Sequence, residues 1–104
     1  MPFAKRHSLF AAAAIFAISS AALAATTFIN ILTGGTSGVY YPIGVALSQI
    51  YGHAIEGAKT SVQATKASVE NLNLLQAGRG ELALALGDSV SDAWNGVEEA
   101  GFKT

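Results

Sequence analysis

The residues best suited to chemistry fall in three short clusters, each where an apolar run gives way to a helical pattern. The first is Thr33-Gly34-Gly35-Thr36-Ser37-Gly38, with Tyr40 and Tyr41 just beyond; the second is Thr65, Lys66 and Ser68; the third is Gly87, Asp88 and Ser89. Glycines let a backbone approach a ligand closely, and unpaired N–H groups at a helix start donate to carboxylate or phosphate oxygens with the help of the helix dipole. Taken singly, each cluster reads equally as a tight turn or a helix cap, since Ser, Thr and Asp are preferred at helix starts. Three together point to a binding site. A tyrosine directly after a glycine-rich loop can cover a ligand with its ring and still hydrogen-bond through its hydroxyl, though it can also simply pack.

Catalytic motifs do not fit these clusters. Gly35-Thr36-Ser37-Gly38 approaches a nucleophile elbow, but G-x-S-x-G needs glycine two residues after the serine, and Val39 stands there. No Gly-Lys-Ser/Thr follows Gly34, and G-x-G-x-x-G cannot be placed, so a phosphate loop and a dinucleotide fingerprint are both excluded. Past the first two dozen residues His53 is the only histidine. A serine–histidine pair or a multi-histidine metal site therefore has nothing to be built from. Asp88 has no second acid beside it for paired acid–base work, so a helix-start or ligand-orienting role is expected. No catalytic residue, metal or cofactor is expected.

The elements that must position these clusters alternate. Thr27-Phe28-Ile29-Asn30-Ile31-Leu32 reads as a buried strand entering the glycine-rich turn. A helix follows, with Pro42 in its first turn, Ile43, Ala46, Leu47 and Ile50 at helical spacing, and Gly52 at its end. Thr60 to Thr65 alternates weakly as a second strand. The second helix is expected to be capped by Ser68, with Glu70 in its first turn, a stripe of Val69, Leu72, Leu75 and Gln76, and Gly78 as its stop. Glu81 to Leu86 reads as a third strand covered on both faces, and Gly87-Asp88-Ser89 opens a third helix through Val90, Ala93, Trp94 and Val97. Trp94 and the leucine stripe are expected in the core. Such alternation produces an α/β fold with a parallel sheet, and in that architecture the three clusters gather at the carboxyl ends of the strands, where ligands bind.

Residues 1–24 read as a cleavable secretory signal peptide. Lys5 and Arg6 give the basic region, Leu9 to Leu23 the apolar core, and Ala22-Leu23-Ala24 the small-x-small pattern before a cut at Ala25. The core is shorter than the roughly 20 apolar residues a membrane span requires, and Ser19 and Ser20 interrupt it. Without Lys5 and Arg6 the chain carries four basic against seven acidic groups, a net charge of −3, and the scattered Lys59, Lys66, Arg79 and Lys103 form no patch for nucleic acid or anionic lipid. With no cysteine there is no disulfide framework, thiolate metal site or N-terminal lipid anchor. Residues 25–104 are enough for one small core at best.

The stretch Ile31-Leu32-Thr33-Gly34-Gly35-Thr36-Ser37-Gly38-Val39-Tyr40-Tyr41-Pro42-Ile43-Gly44 resembles the opening signature of the TAXI family, the substrate-binding subunits of one class of TRAP transporter. Val62-Gln63-Ala64-Thr65 with Ser68-Val69-Glu70-Asn71-Leu72, then Leu75-Gln76-Ala77-Gly78, then Glu81-Leu82-Ala83-Leu84 leading to Asp88, are similar to its later blocks in order and spacing. The resemblance implies a type II periplasmic binding protein: two α/β lobes closing on a small organic anion, such as glutamate or a 2-oxoglutarate-like dicarboxylate, and passing it to an ion-coupled membrane transporter. The ligand-binding positions it implies are Gly35, Thr36, Ser37, Tyr40, Thr65, Ser68, Asp88 and Ser89. Members of that family are much longer, so residues 25–104 are expected to be the front of the first lobe, with the second lobe absent. One helix terminus contributes about 0.3–1 kcal/mol toward an anion, against about 8 kcal/mol for micromolar binding, so half a cleft is expected to bind poorly. Two other readings stay open on the residues alone. One is a small secreted α/β hydrolase using Ser37 or Ser89; the other is a secreted interaction module pairing through an unfinished sheet edge.

Overall fold

The computed structural model describes residues 25–103, and the expected signal peptide lies outside the described residues. Its architecture is α/β: strand β1 (Thr27–Leu32), helix α1 (Tyr40–Ala54), strand β2 (Ala58–Gln63), helix α2 (Ser68–Gln76), strand β3 (Leu82–Ala83) and helix α3 (Gly87–Asn95), with a 3₁₀ turn at Glu98–Ala100. The strands are parallel in the order β2-β1-β3. The connection out of β1 thus runs to one side of the sheet, and the next crosses back over β1 to the other. That reversal creates the crevice at the carboxyl ends of β1 and β3.

The apolar and β-branched β1 takes the centre, where Ile31 and Leu32 are fully buried. Its alternation sends Ile31 and Thr33 to one face and Leu32 to the other. Helix α1 covers the first face at Gly44, where a Cβ would stand 2.3 Å from Thr33 Cγ2 and 3.2 Å from Val62 Cγ1. Only a glycine allows that approach. On the other face the chain entering β3 passes at Gly80, where a Cβ would be 2.7 Å from Leu32 Cδ1.

Several boundaries differ from the sequence expectation. Helix α1 continues through Gly52 to Ala54, because an interior glycine costs only about 1 kcal/mol; the chain turns instead at Gly57, whose φ is +77°. Strand β2 lies two residues earlier than expected, in register from Thr27↔Ala58 to Leu32↔Gln63, which frees Thr65 to bond Gly34 O through its N–H. Strand β3 is a two-residue element rather than a six-residue one. It pairs with β1 only at Ile31↔Leu82 and Leu32↔Ala83, and just beyond it the Leu84 carbonyl is taken by the Asn71 side chain. Helix α2 stops at Gly78 (φ +73°) as expected, and α3 stops before Val97, at left-handed Gly96 (φ 63°).

Ser68 is not the cap of α2. Ala67 occupies that position and no side chain caps the helix; Glu70 reaches back to the Lys66 N–H instead. Nor is Trp94 in the core: it is 90% exposed, and Val69 and Leu75 of the expected stripe are also exposed. Helix α3 has no buried residue, because the described residues place no further strand or helix on its outer side.

Candidate functional site

A cavity of about 250 Å³ opens at the carboxyl ends of the strands, lined by Gly34, Gly35, Gly38, Val39, Tyr40, Ala67, Ser68 and Leu86. Each strand-to-helix junction contributes to it. Of the eight positions expected from sequence, Gly35, Tyr40 and Ser68 line the cavity. Thr36 and Ser37 lie exposed in the turn closed by the Gly38 N–H on Gly35 O (2.9 Å). Asp88 and Ser89 sit in the first turn of α3, where the Asp88 carboxylate accepts the Ser89 N–H at 2.7 Å, and neither lines the cavity.

Thr65 lies beneath, in a polar network not anticipated from the sequence. Its centre is Asn71, fully buried. The Asn71 amide donates to the carbonyls of Thr33 and Leu84, and its Oδ1 faces the Thr65 hydroxyl. Two carbonyl partners fix which end of the amide carries nitrogen. One side chain thereby ties together the segments that leave β1, β2 and β3. The Thr65 oxygen also accepts the Ala67 N–H at 3.0 Å, and the Thr33 hydroxyl donates to Gln63 O at 2.7 Å. The spacing held a signal for Asn71: it stands three residues after Ser68, so both fall on the same inward face of α2.

Ala67 is the one described non-glycine residue with positive φ, at 71° with ψ −144°. That region is strained for any residue with a Cβ and costs on the order of 1–3 kcal/mol. The bonds from Thr65 on one side and the start of α2 on the other hold it there, and it forms part of the cavity wall.

The electrostatics of the three helix starts differ. Helices α2 and α3 carry their own carboxylates in the first turn, Glu70 and Asp88. Helix α1 has no acidic residue there and no capping side chain, so the N–H groups of Tyr40 and Tyr41 have no intrahelical partner. Pro42 brings no N–H. Ser68, 9% exposed, accepts the Leu86 N–H at 3.0 Å, and among the described residues its own proton has no acceptor. No acidic or basic side chain lines the cavity. His53 is exposed in the last turn of α1, at the opposite end of that helix from Tyr40, so the described residues bring no histidine to Ser37 or Ser89. No group of acidic, histidine or cysteine residues able to hold a metal occurs among them either.

An opening that offers backbone donors, the side chains of Ser68 and Tyr40 and apolar walls can hold and orient a small solute. Compared with known protein families, residues 31–104 match the NMT1-like family, from the buried end of β1 past all three junctions.

Proposed function

Because the chain belongs to the NMT1-like family, whose members are of the periplasmic-binding-protein kind, we propose that it is a receptor for a small organic anion feeding a TRAP-type, ion-coupled membrane transporter. The observation that carries this reading is the convergence of three strand-to-helix junctions on one cavity, with an uncapped α1 start at its edge. A small anion suits that arrangement, since a helix terminus favours negative charge and glycines admit it close to the backbone. Glutamate and dicarboxylates are the ligand class that the resemblance to the TAXI family suggests.

The cavity is walled from one side and open on the other, so it serves as one wall of a cleft. Its facing wall comes from a second lobe, and closure between the two supplies the several kcal/mol that helix termini alone do not. Residues 1–24 direct the chain out of the cytoplasm, and the protein works in the periplasm. No helix among the described residues is long and apolar enough to cross a membrane.

Thermal-shift measurements on the protein at its full encoded length, with native mass spectrometry of the freshly purified sample, test this reading. A ligand at a hundred times its Kd stabilises by about 2.7 kcal/mol, a shift of several degrees. Loss of uptake of the same solute on deleting the gene would connect binding to transport. A protein that carries no solute, and that no organic anion or amino acid stabilises, would end the receptor reading.

A further inference from the structure

We infer that Asn95 is a site of self-modification: its side chain closes on the Gly96 nitrogen and converts to aspartate and isoaspartate, which loosens the segment anchored by Phe102. Asparagine is among the thermally labile residues. Its amide carbon can form a five-membered ring with the nitrogen of the next residue. Asn30, Asn71 and Asn73 are followed by Ile31, Leu72 and Leu74, and Asn95 alone is followed by a glycine. Glycine sets no Cβ beside the attacking nitrogen and adopts the ring geometry freely. The other three asparagines lie inside β1 and α2, whereas Asn95 is exposed and is the last residue of α3.

Three bonds hold the closed form. Asn95 Nδ2 donates to Ser91 O at 2.9 Å, the Gly96 N–H to Ala93 O at 3.2 Å and the Val97 N–H to Asp92 O at 3.0 Å. All three belong to the end of a helix with no buried residue, where local opening costs little. In the opened turn, hydroxide takes the Gly96 amide proton and the nitrogen forms a bond to Asn95 Cγ. The Cγ–Nδ2 bond breaks, and the nitrogen leaves as ammonia with a proton from water. Water then opens the resulting succinimide. Opening at Cγ gives aspartate; opening at the backbone carbonyl gives isoaspartate, whose chain runs on through the side chain.

Either product puts a carboxylate at the carboxyl end of α3, where the helix dipole disfavours negative charge and the last turn has no basic residue. Asp92, Glu98 and Glu99 stand close by in sequence and add like charge. Isoaspartate also lengthens the backbone by one carbon, so the Val97 N–H loses its register with Asp92 O. Val97 O accepts the Phe102 N–H at 3.2 Å, and Phe102 is buried. Displacing Val97 therefore releases the anchor.

Peptide mapping of the protein at its full encoded length, incubated in mildly alkaline buffer made with oxygen-18 water, tests this. Asn95 is expected to convert before Asn30, Asn71 or Asn73, to take up the heavy oxygen, to yield both isomers, and to convert faster as pH rises. Chymotryptic cleavage after Phe102 should increase in step. Asn95→Gln, which keeps an amide but closes its ring far more slowly, should lose both changes. Asn95→Asp, checked for folding by circular dichroism, should show raised cleavage from the start. An Asn95 that stays an amide in the folded protein while converting in urea overturns the inference, as does equal conversion at the other asparagines. Conversion with cleavage after Phe102 unchanged overturns the coupling to the anchor.

Discussion

Asn71 binds the carbonyls of Thr33 and Leu84 and meets the hydroxyl of Thr65, so a single amide organises the floor under the cavity. Replacing it by leucine keeps the volume but removes the amide's bond to the Leu84 carbonyl and leaves the Thr33 carbonyl with the Thr65 hydroxyl alone. Asn71→Leu is expected to lower stability by about 2–4 kcal/mol in urea unfolding, well above a typical single substitution. Asn71→Asp should be worse, because a carboxylate would face two carbonyl oxygens. Ala67 predicts a change of opposite sign. Glycine at φ 71° would release on the order of 1–3 kcal/mol of strain and forfeit about 0.5–1 kcal/mol of chain entropy, so Ala67→Gly is expected to raise the stability read from urea unfolding by a net of about 1 kcal/mol. Unchanged stability in that variant would mean that the strain is absent.

Helix α1 is seated on the sheet where Gly44 meets Thr33 and Val62 and where the Ser48 hydroxyl bonds Thr60, and the carbonyl of Thr33 is held by Asn71. A methyl at position 44 must push the helix off the sheet. Gly44→Ala is therefore expected to cost about 1–3 kcal/mol. Gly35→Ala, where an added Cβ meets nothing within 4 Å, should stay within about 0.5 kcal/mol of the parent, and comparing the two urea midpoints checks both. The order of elements was legible in the sequence because its signals are local: an apolar run for β1, glycines after β1 and α2, and Pro42 in the first turn of α1. The length of β3 was not, since pairing stops where a side chain from α2 takes Leu84 O. Ser68 misled for a similar reason. Its hydroxyl looks like a local cap, yet its partner is the Leu86 N–H, 18 residues away. Of the cavity, the glycines, Tyr40 and Ser68 could be read from residue type, whereas Val39, Ala67 and Leu86 carry no chemical signature and belong to it only through the strand order.

At the scale of the molecule, the strand order brings three helix starts to one end and leaves the outer side of α3 bare among the described residues. Trp94, the only tryptophan in the chain, reports on that side directly. Its emission is expected to be that of a solvated indole, fully open to acrylamide quenching, and Trp94→Ala should cost less than about 0.5 kcal/mol. Blue-shifted emission would show instead that another surface covers it. Its expected place in the core followed from its size and apolarity; its observed place follows from what is there to pack against. The bond from Leu86 N–H to Ser68 Oγ has a use at the bench. When a ligand oxygen takes the Ser68 proton, the serine oxygen becomes a better acceptor, because linked hydrogen bonds polarise one another. Deuterium uptake at the Leu86 amide should then slow on occupancy, giving the molecule an internal gauge of its own filling that needs no label and no knowledge of which solute is bound.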